Sequence, residues 1–223
     1  PASVFLSQEP GGLEAVSKLL SPLPNNITSV VPEWASSYDN KWVGITGRAR
    51  VVVYNNEALS SKDLPSSIID FIDPKWKGRI GWAPTNASFQ TMITGMRSLW
   101  GEDKTREWLK GIQANDPLVY PKNTPQVAAV AAGEIDVGFV NHYYLHRFLA
   151  ERGQEFGARN FYYTGGDLSA LVNVAGIGIL TTSKKVRAAE QFVDYMLSRK
   201  AQGYFANGTY EYPLLAGVAS PEG

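Results

Sequence analysis

The chain has 223 residues, 44% hydrophobic and 19% charged, with 21 basic and 21 acidic side chains. That composition suits one large or two modest globular domains, and zero net charge argues against a nucleic-acid binder relying on a strongly basic field. Cysteine is absent, which removes disulfide scaffolds, thiolate metal sites and cysteine nucleophiles, and no apolar run is long enough to span a bilayer. No signal-peptide pattern opens the sequence, which fits a mature or trimmed chain.

In chain order, Val4-Phe5-Leu6 reads as a short strand, abrupt enough to suggest that the sequence opens inside a domain. Pro10-Gly11-Gly12 reads as a turn, and Leu13, Val16, Leu19 and Leu20 as a helical stripe. Trp42 to Ile45 and Arg48 to Tyr54 read as two strands, the second apolar enough to be buried on both faces. Buried charge is costly unless paired, so Arg48 and Arg50 either hold structural partners or look into a cleft. Leu64 to Phe71 predicts a short helix, Arg79 to Ala83 a strand, and Phe89 to Trp100 and Lys104 to Ile112 helices. Leu118 to Tyr120 is a further strand. Thr124 suits a helix cap with Pro125 at the first helical position, and that helix runs to Gly133.

The stretch from Gly133 to Arg147, GEIDVGFVNHYYLHR, predicts a helix stop, a buried strand from Ile135 to Val140, and a new helix capped by Asn141. It ends near Gly153. Phe161 to Tyr163 is a strand, Asp167 to Leu171 a loop or short turn, and Val172 to Leu180 a glycine-containing strand at a bend. Helices over Lys184 to Met196 and Lys200 to Phe205 precede Tyr210 to Pro213 and a loose tail. Helices alternating with strands define an α/β class.

Three strand-to-helix junctions share one chemistry: Thr85-Asn86-Ala87-Ser88, Asn123-Thr124-Pro125 and Asn141-His142-Tyr143-Tyr144. A helix start favours an anion through its dipole and its unbonded N–H groups. Should the three strands be neighbours, the junctions line one rim. Taken singly, each is better explained as an ordinary helix cap. Adjacent phenols at one of them add a second chemistry. A phenol has a pKa near 10, so only a strongly polarising cation displaces its proton near neutrality. Fe³⁺ is the natural candidate. Ca²⁺ would recruit several carboxylates and Zn²⁺ would prefer His and Cys, for which His142 and His146 alone give a weak signal.

Four stretches resemble the periplasmic ferric-ion-binding proteins that feed bacterial iron ABC importers. They are WVGITGRARVVVYN (42–55), DPKWKGRIGWAPTNASF (73–89), GEIDVGFVNHYYLHRF (133–148) and GDLSALVNVAG (166–176), joined by TYEYPL (209–214). The resemblance runs in order from Val4 to Leu214. It implies a two-lobed periplasmic-binding-protein clamshell with crossing hinge strands, Arg50 to Tyr54 and Val172 to Ile179. One lobe would comprise 1–51 with 172–223, lacking its first strand-helix unit, and the other 52–171, carrying the tyrosine pair.

The resemblance makes Tyr143 and Tyr144 iron ligands, and Asn86, Ala87, Asn123 and Asn141 the holders of a synergistic anion, phosphate or carbonate. A glutamate ligand of some members falls at Gln8, with Glu9 beside it. Arg48, Arg50 and His142 would support these groups. The implied partner is an ABC permease, the implied location periplasmic, or membrane-tethered outside the cytoplasm in a Gram-positive source, and the chain a monomer. An alternative keeps the fold but binds another small anion or small molecule without iron. A hydrolase or metalloenzyme using His142 is disfavoured, because neither G-x-S-x-G nor H-E-x-x-H occurs.

Overall fold

The computed structural model describes residues 2–164, 166 and 170–221. The chain divides into two compact units, Pro1–Arg48 with Asn173–Gly223 and Ala49–Val172. The turn predicted for Asp167, Leu168 and Ser169 lies outside the described residues. No helix among the described residues is long and apolar enough to cross a membrane.

The first unit contains β1 (Val4–Ser7), α1 (Pro10–Ala15), β2 (Leu20–Ser21), α2 (Asn25–Thr28), β8 (Val172–Leu180, from Asn173 on), α7 (Val186–Met196) and α8 (Arg199–Tyr204). It also holds the first part of β3 (Val43–Asn55). β1 and β2 both pair antiparallel with β8, in registers that set Val4 opposite Ile179 and Leu20 opposite Leu180. Leu13, Ile27, Trp42, Val43, Ile45, Ile177 and Val193 fill the core between sheet and helices.

Several local expectations change here. Pro10-Gly11-Gly12 opens α1 rather than forming a turn, because proline's fixed φ suits a first helical position. The glycines of β8 mark close approach of neighbouring backbone. A Cβ at Gly176 would stand 2.9 Å from the Val43 carbonyl oxygen, and one at Gly178 2.8 Å from that of Lys41.

The tail after Tyr210 is also tied down. Gly47 and Tyr212 exchange two backbone hydrogen bonds, each 2.8 Å. Fully buried Gln202 donates to the Ile45 and Met196 carbonyls and accepts from the Leu214 and Leu215 N–H groups. Gln202→Leu would orphan all four of those groups, two of them, the Ile45 carbonyl and the Leu214 N–H, in fully buried bonds. It is therefore expected to lower unfolding free energy by ~3 kcal/mol, read by chemical denaturation. A loss below ~1 kcal/mol would mean that the tail contributes nothing.

The two strands predicted over 42–54 form one continuous strand, β3, which belongs to the first unit up to Arg48 and to the second from Ala49, because Thr46-Gly47 stays extended, with Gly47 bridged to Tyr212, instead of turning. From Ala49 onward β3 pairs antiparallel with β6 (Val137–Asn141) and with β7 (Ala158–Phe161). β6 pairs parallel with β4 (Ile80–Trp82), and β4 parallel with β5 (Leu118–Val119). Helices α3 (Ala87–Trp100), α4 (Glu102–Ala114), α5 (Asn123–Ala131) and α6 (Tyr143–Arg152) complete the unit. The helix predicted at Leu64 to Phe71 is a 3₁₀ turn at Ile68–Ile72, entered through a Ser67 hydroxyl that accepts from Ile69 N–H. Phe71, Trp76, Ile80, Met92, Trp108, Val137 and Phe139 make its core. The Trp108 indole N–H is satisfied by the Ile68 carbonyl at 2.9 Å.

Candidate metal and anion site

β6, β4 and β5 are adjacent and parallel, and each runs into a helix: β6 into α6, β4 into α3, β5 into α5. The three helix starts therefore share the C-terminal edge of three neighbouring strands, where ligands gather in α/β sheets. The condition set by the sequence is met within a single unit.

Local detail at the starts departs from the predicted caps. Asn86 does cap α3, its Oδ1 accepting from Ser88 N–H at 3.1 Å and from the Ser88 hydroxyl at 2.6 Å. α5 starts at Asn123, two residues before Pro125, with Lys122 at the cap position. Asn141 is the last residue of β6 and not a cap; His142 occupies that position. The reason lies in the strand ladder. Asn141 registers with Arg50 across β3, and its side-chain oxygen accepts from Arg50 Nη1 at 3.0 Å.

Arg50 is 1% exposed and joins all three junctions. Besides Asn141, its Nη1 donates to Ser88 Oγ at 3.1 Å and to Asn123 Oδ1 at 3.4 Å. Asn123 Nδ2 in turn lies 3.4 Å from both Asn86 Oδ1 and Ser88 Oγ. Of the two readings left open for Arg50, structural pairing is met by these bonds, and the pairing is made to the junctions themselves. Sequence reasoning did not single out Ser88 as a contributor. Its place in the first turn after Asn86 was the available signal.

Tyr143 and Tyr144 open α6 with their rings stacked, centroids 4.4 Å apart and planes 30° apart. Tyr143 is buried and Tyr144 half-buried. Tyr144 lines a groove with Thr124, Arg147, Phe148 and Glu151. Its phenol pKa lies above the ordinary value, first because burial disfavours the phenolate and next because Tyr143 stands against it. Arg147 and the Asn123 side chain pull the other way.

The Arg147 guanidinium lies 4.7 Å from the Tyr143 ring centre and 5.7 Å from that of Tyr144. This stacking was also missed from sequence, although Arg147 sits four and three residues after the tyrosines, the spacing of neighbours on a helix face. If the tyrosine pair takes the ferric ion that the sequence anticipates, Arg147→Ala is expected to weaken its binding ~10-fold, the lower end of what a supporting group outside the ligand set costs. A chelator-competition titration would read it, and an unchanged affinity would make Arg147 incidental.

Among the histidines, His142 is fully buried. Its Nδ1 accepts from Ala49 N–H at 3.2 Å and its own N–H donates to the Ala49 carbonyl at 3.0 Å. A ring nitrogen that accepts carries no proton, so Nδ1 is the bare nitrogen. His146 contacts the Tyr162 hydroxyl at 3.3 Å, and burial pushes its pKa below the ordinary value. Among the described residues no three His, Cys, Asp or Glu side chains cluster as a metal-holding group.

The remaining predicted residues belong to the first unit. Gln8 is exposed, whereas Glu9 is buried and pairs with Arg48 at 3.4 Å. Arg48 thus has a structural partner.

Comparison with known proteins places the chain in a class. It matches, over residues 12–222, the family described as bacterial extracellular solute-binding protein, and it belongs to that family. Proteins of this kind bind solutes and are not enzymes. The chain is 37% identical to the major ferric iron-binding protein of Neisseria meningitidis serogroup B, covering 99% of this chain and 68% of the relative. It is 33% identical to the Fe(3+)-binding periplasmic protein of Serratia marcescens, covering 99% and 66%. Among solved structures, iron-bound HitA from Pseudomonas aeruginosa superposes with a TM-score of 0.93 at 34% identity, over 99% of this chain and 72% of that one. A Trichodesmium protein in complex with iron and citrate gives 0.90 at 29% identity, over 100% and 73%. These neighbours share the α/β fold described above.

Proposed function

We propose that this chain binds ferric ion as cargo through Tyr143 and Tyr144 as phenolates. In this reading a synergistic anion, phosphate or carbonate, sits on the donors around Asn86, Ala87, Asn123 and Asn141. The loaded protein acts as a monomer in the periplasm, or tethered outside the cytoplasm, and delivers iron to an ABC-type permease.

One observation carries the reading: two phenols stack at a helix start on the same strand edge as two other helix starts. Phenolate oxygens are hard donors that only a strongly polarising cation can free of their protons. Helix starts supply the positive potential that an anion completing the coordination needs. The Neisseria and Serratia ferric iron-binding relatives and the iron-bound Pseudomonas neighbour support the cargo. Citrate in the Trichodesmium structure shows that a carboxylate anion accompanies iron in one of them.

The test is a titration of metal-free protein with ferric ion, alone and with phosphate, carbonate or citrate. A visible tyrosinate-to-iron band, saturating at one ion per chain and strengthened by one of the anions, is the expected result. Phosphate uptake without any band would instead favour an anion-binding protein that does not use iron.

A further inference from the structure

We infer that Arg50 is a positioning residue that fixes the polarity of the anion cradle, turning the Asn86 and Asn141 amides so that they offer N–H donors to the ligand. This rests on the reading that the three helix starts hold an anion, and it names the residue that makes them selective for one.

The chemistry of the groups compels the orientation. A guanidinium has only donors, so whatever meets it must turn an acceptor toward it. Arg50 Nη1 meets one oxygen from each junction: Ser88 Oγ, Asn123 Oδ1 and Asn141 Oδ1. In a planar amide the nitrogen lies across Cγ from the oxygen, so committing Asn141 Oδ1 to Arg50 turns its NH₂ away. The constraint propagates through Ser88. Its oxygen accepts from Arg50, leaving its own proton to go to Asn86 Oδ1 at 2.6 Å. Asn86 Oδ1 also accepts from Ser88 N–H and from Asn123 Nδ2. The Asn86 oxygen is thereby held inward and its NH₂ outward as well.

Without such a hub an asparagine can present either end to a ligand, a donor or an acceptor. With it, the Asn141 oxygen is committed to the guanidinium and the Asn86 oxygen to Ser88 and Asn123, which leaves the Asn86 and Asn141 nitrogens for the ligand. Arg50 reaches this position because β3 registers it opposite Asn141, the residue at which β6 hands over to α6. Its burial at 1% exposure removes the competing water that would otherwise loosen the pattern.

Asn141→Asp separates this role from simple packing. It keeps the oxygen that faces Arg50 but replaces the outward donor by a charged acceptor. Phosphate binding to metal-free protein, measured by calorimetry, is expected to weaken at least ~10-fold, while the thermal midpoint holds or rises because a carboxylate pairs more strongly with arginine. Arg50→Lys keeps the charge, but its side chain ends one bond short of the Nη1 position that meets all three oxygens, and it should weaken phosphate ~10–100-fold. A purely structural role for Asn141, with its outward end away from the ligand, predicts the opposite pattern: an unchanged phosphate affinity in Asn141→Asp.

That unchanged affinity, or an Arg50→Lys protein binding phosphate like the parent, would overturn the proposal. So would a parent protein that takes up no phosphate. Should Arg50→Lys fail to fold, Asn141→Asp decides alone. The ferric band is recorded separately on the parent. A parent that binds phosphate in an Arg50-dependent way yet gives no band with iron would sink the iron reading and leave this one standing.

Discussion

Replacing Tyr143 and Tyr144 together by phenylalanine is expected to abolish the visible ferric band. Affinity for ferric ion should fall by well over the ~100-fold that loss of a supporting group costs. The stacked pair would survive as two phenyl rings, so the apolar contact of Tyr143 with its surroundings is retained and the empty protein should unfold near its original midpoint. Each single variant keeps one phenol and should hold iron weakly, with a shifted and fainter band. Competition against a ferric chelator of known affinity gives the magnitudes. A double variant that binds iron like the parent would remove the phenols from the ligand set altogether.

Ferric affinity is also expected to fall with acid, by ~2 decades per pH unit, one for each phenol that must give up its proton to the solvent when iron enters. The sign follows from the empty site. The Tyr144 phenol there is harder to ionise than an ordinary tyrosine, with burial as the first cause and Tyr143 as the second. An ordinary tyrosine already holds its proton to about pH 10. Across the neutral and acid range the empty site therefore carries protons that the loaded site does not, and mass action by protons favours the empty form. The profile is measured at constant free phosphate, with the protonation of chelator and anion subtracted. A flat profile would mean that iron is held by groups already ionised at neutrality.

The same phenol protons bear on cation choice. Ca²⁺ and Mg²⁺ look for carboxylates and carbonyls, and among the described residues no cluster of three carboxylate or histidine groups offers itself. Their binding energy would have to displace phenol protons, and burial holds that of Tyr144 more tightly than usual. A trivalent ion has the polarising power to do so, which turns a raised pKa into a filter.

How much of this was readable from the residues depends on the range of the interactions. The strand-to-helix junctions were legible because each is a local pattern: an apolar run, then small or amide residues, then a helical stripe. Their assembly on one edge was only conditional, since strand order comes from pairing between distant segments. The structure supplies it through parallel β6, β4 and β5. The tyrosine pair was legible as chemistry and its stacking was not, because the backbone direction at the start of α6 decides where each ring goes.

The errors have physical causes of the same kind. Asn141 has the right side chain for a cap, but the ladder to Arg50 claims it, a partner 91 residues away. Thr124 and Pro125 obey the cap and first-position preferences, yet α5 gains an earlier turn by starting at Asn123, whose side chain is held by Arg50 and Ser88. The tail was read as loose because nothing local orders it. Gln202 and Gly47 do so from elsewhere in the first unit.

The central claim is phenolate ligation of a trivalent ion, and resonance Raman scattering excited within the visible band of the ferric-loaded protein tests it most directly. Phenolate ligation predicts enhanced tyrosinate ring modes that disappear when Tyr143 and Tyr144 are both phenylalanine. Bound iron without those modes, or modes that persist in the double variant, would contradict it.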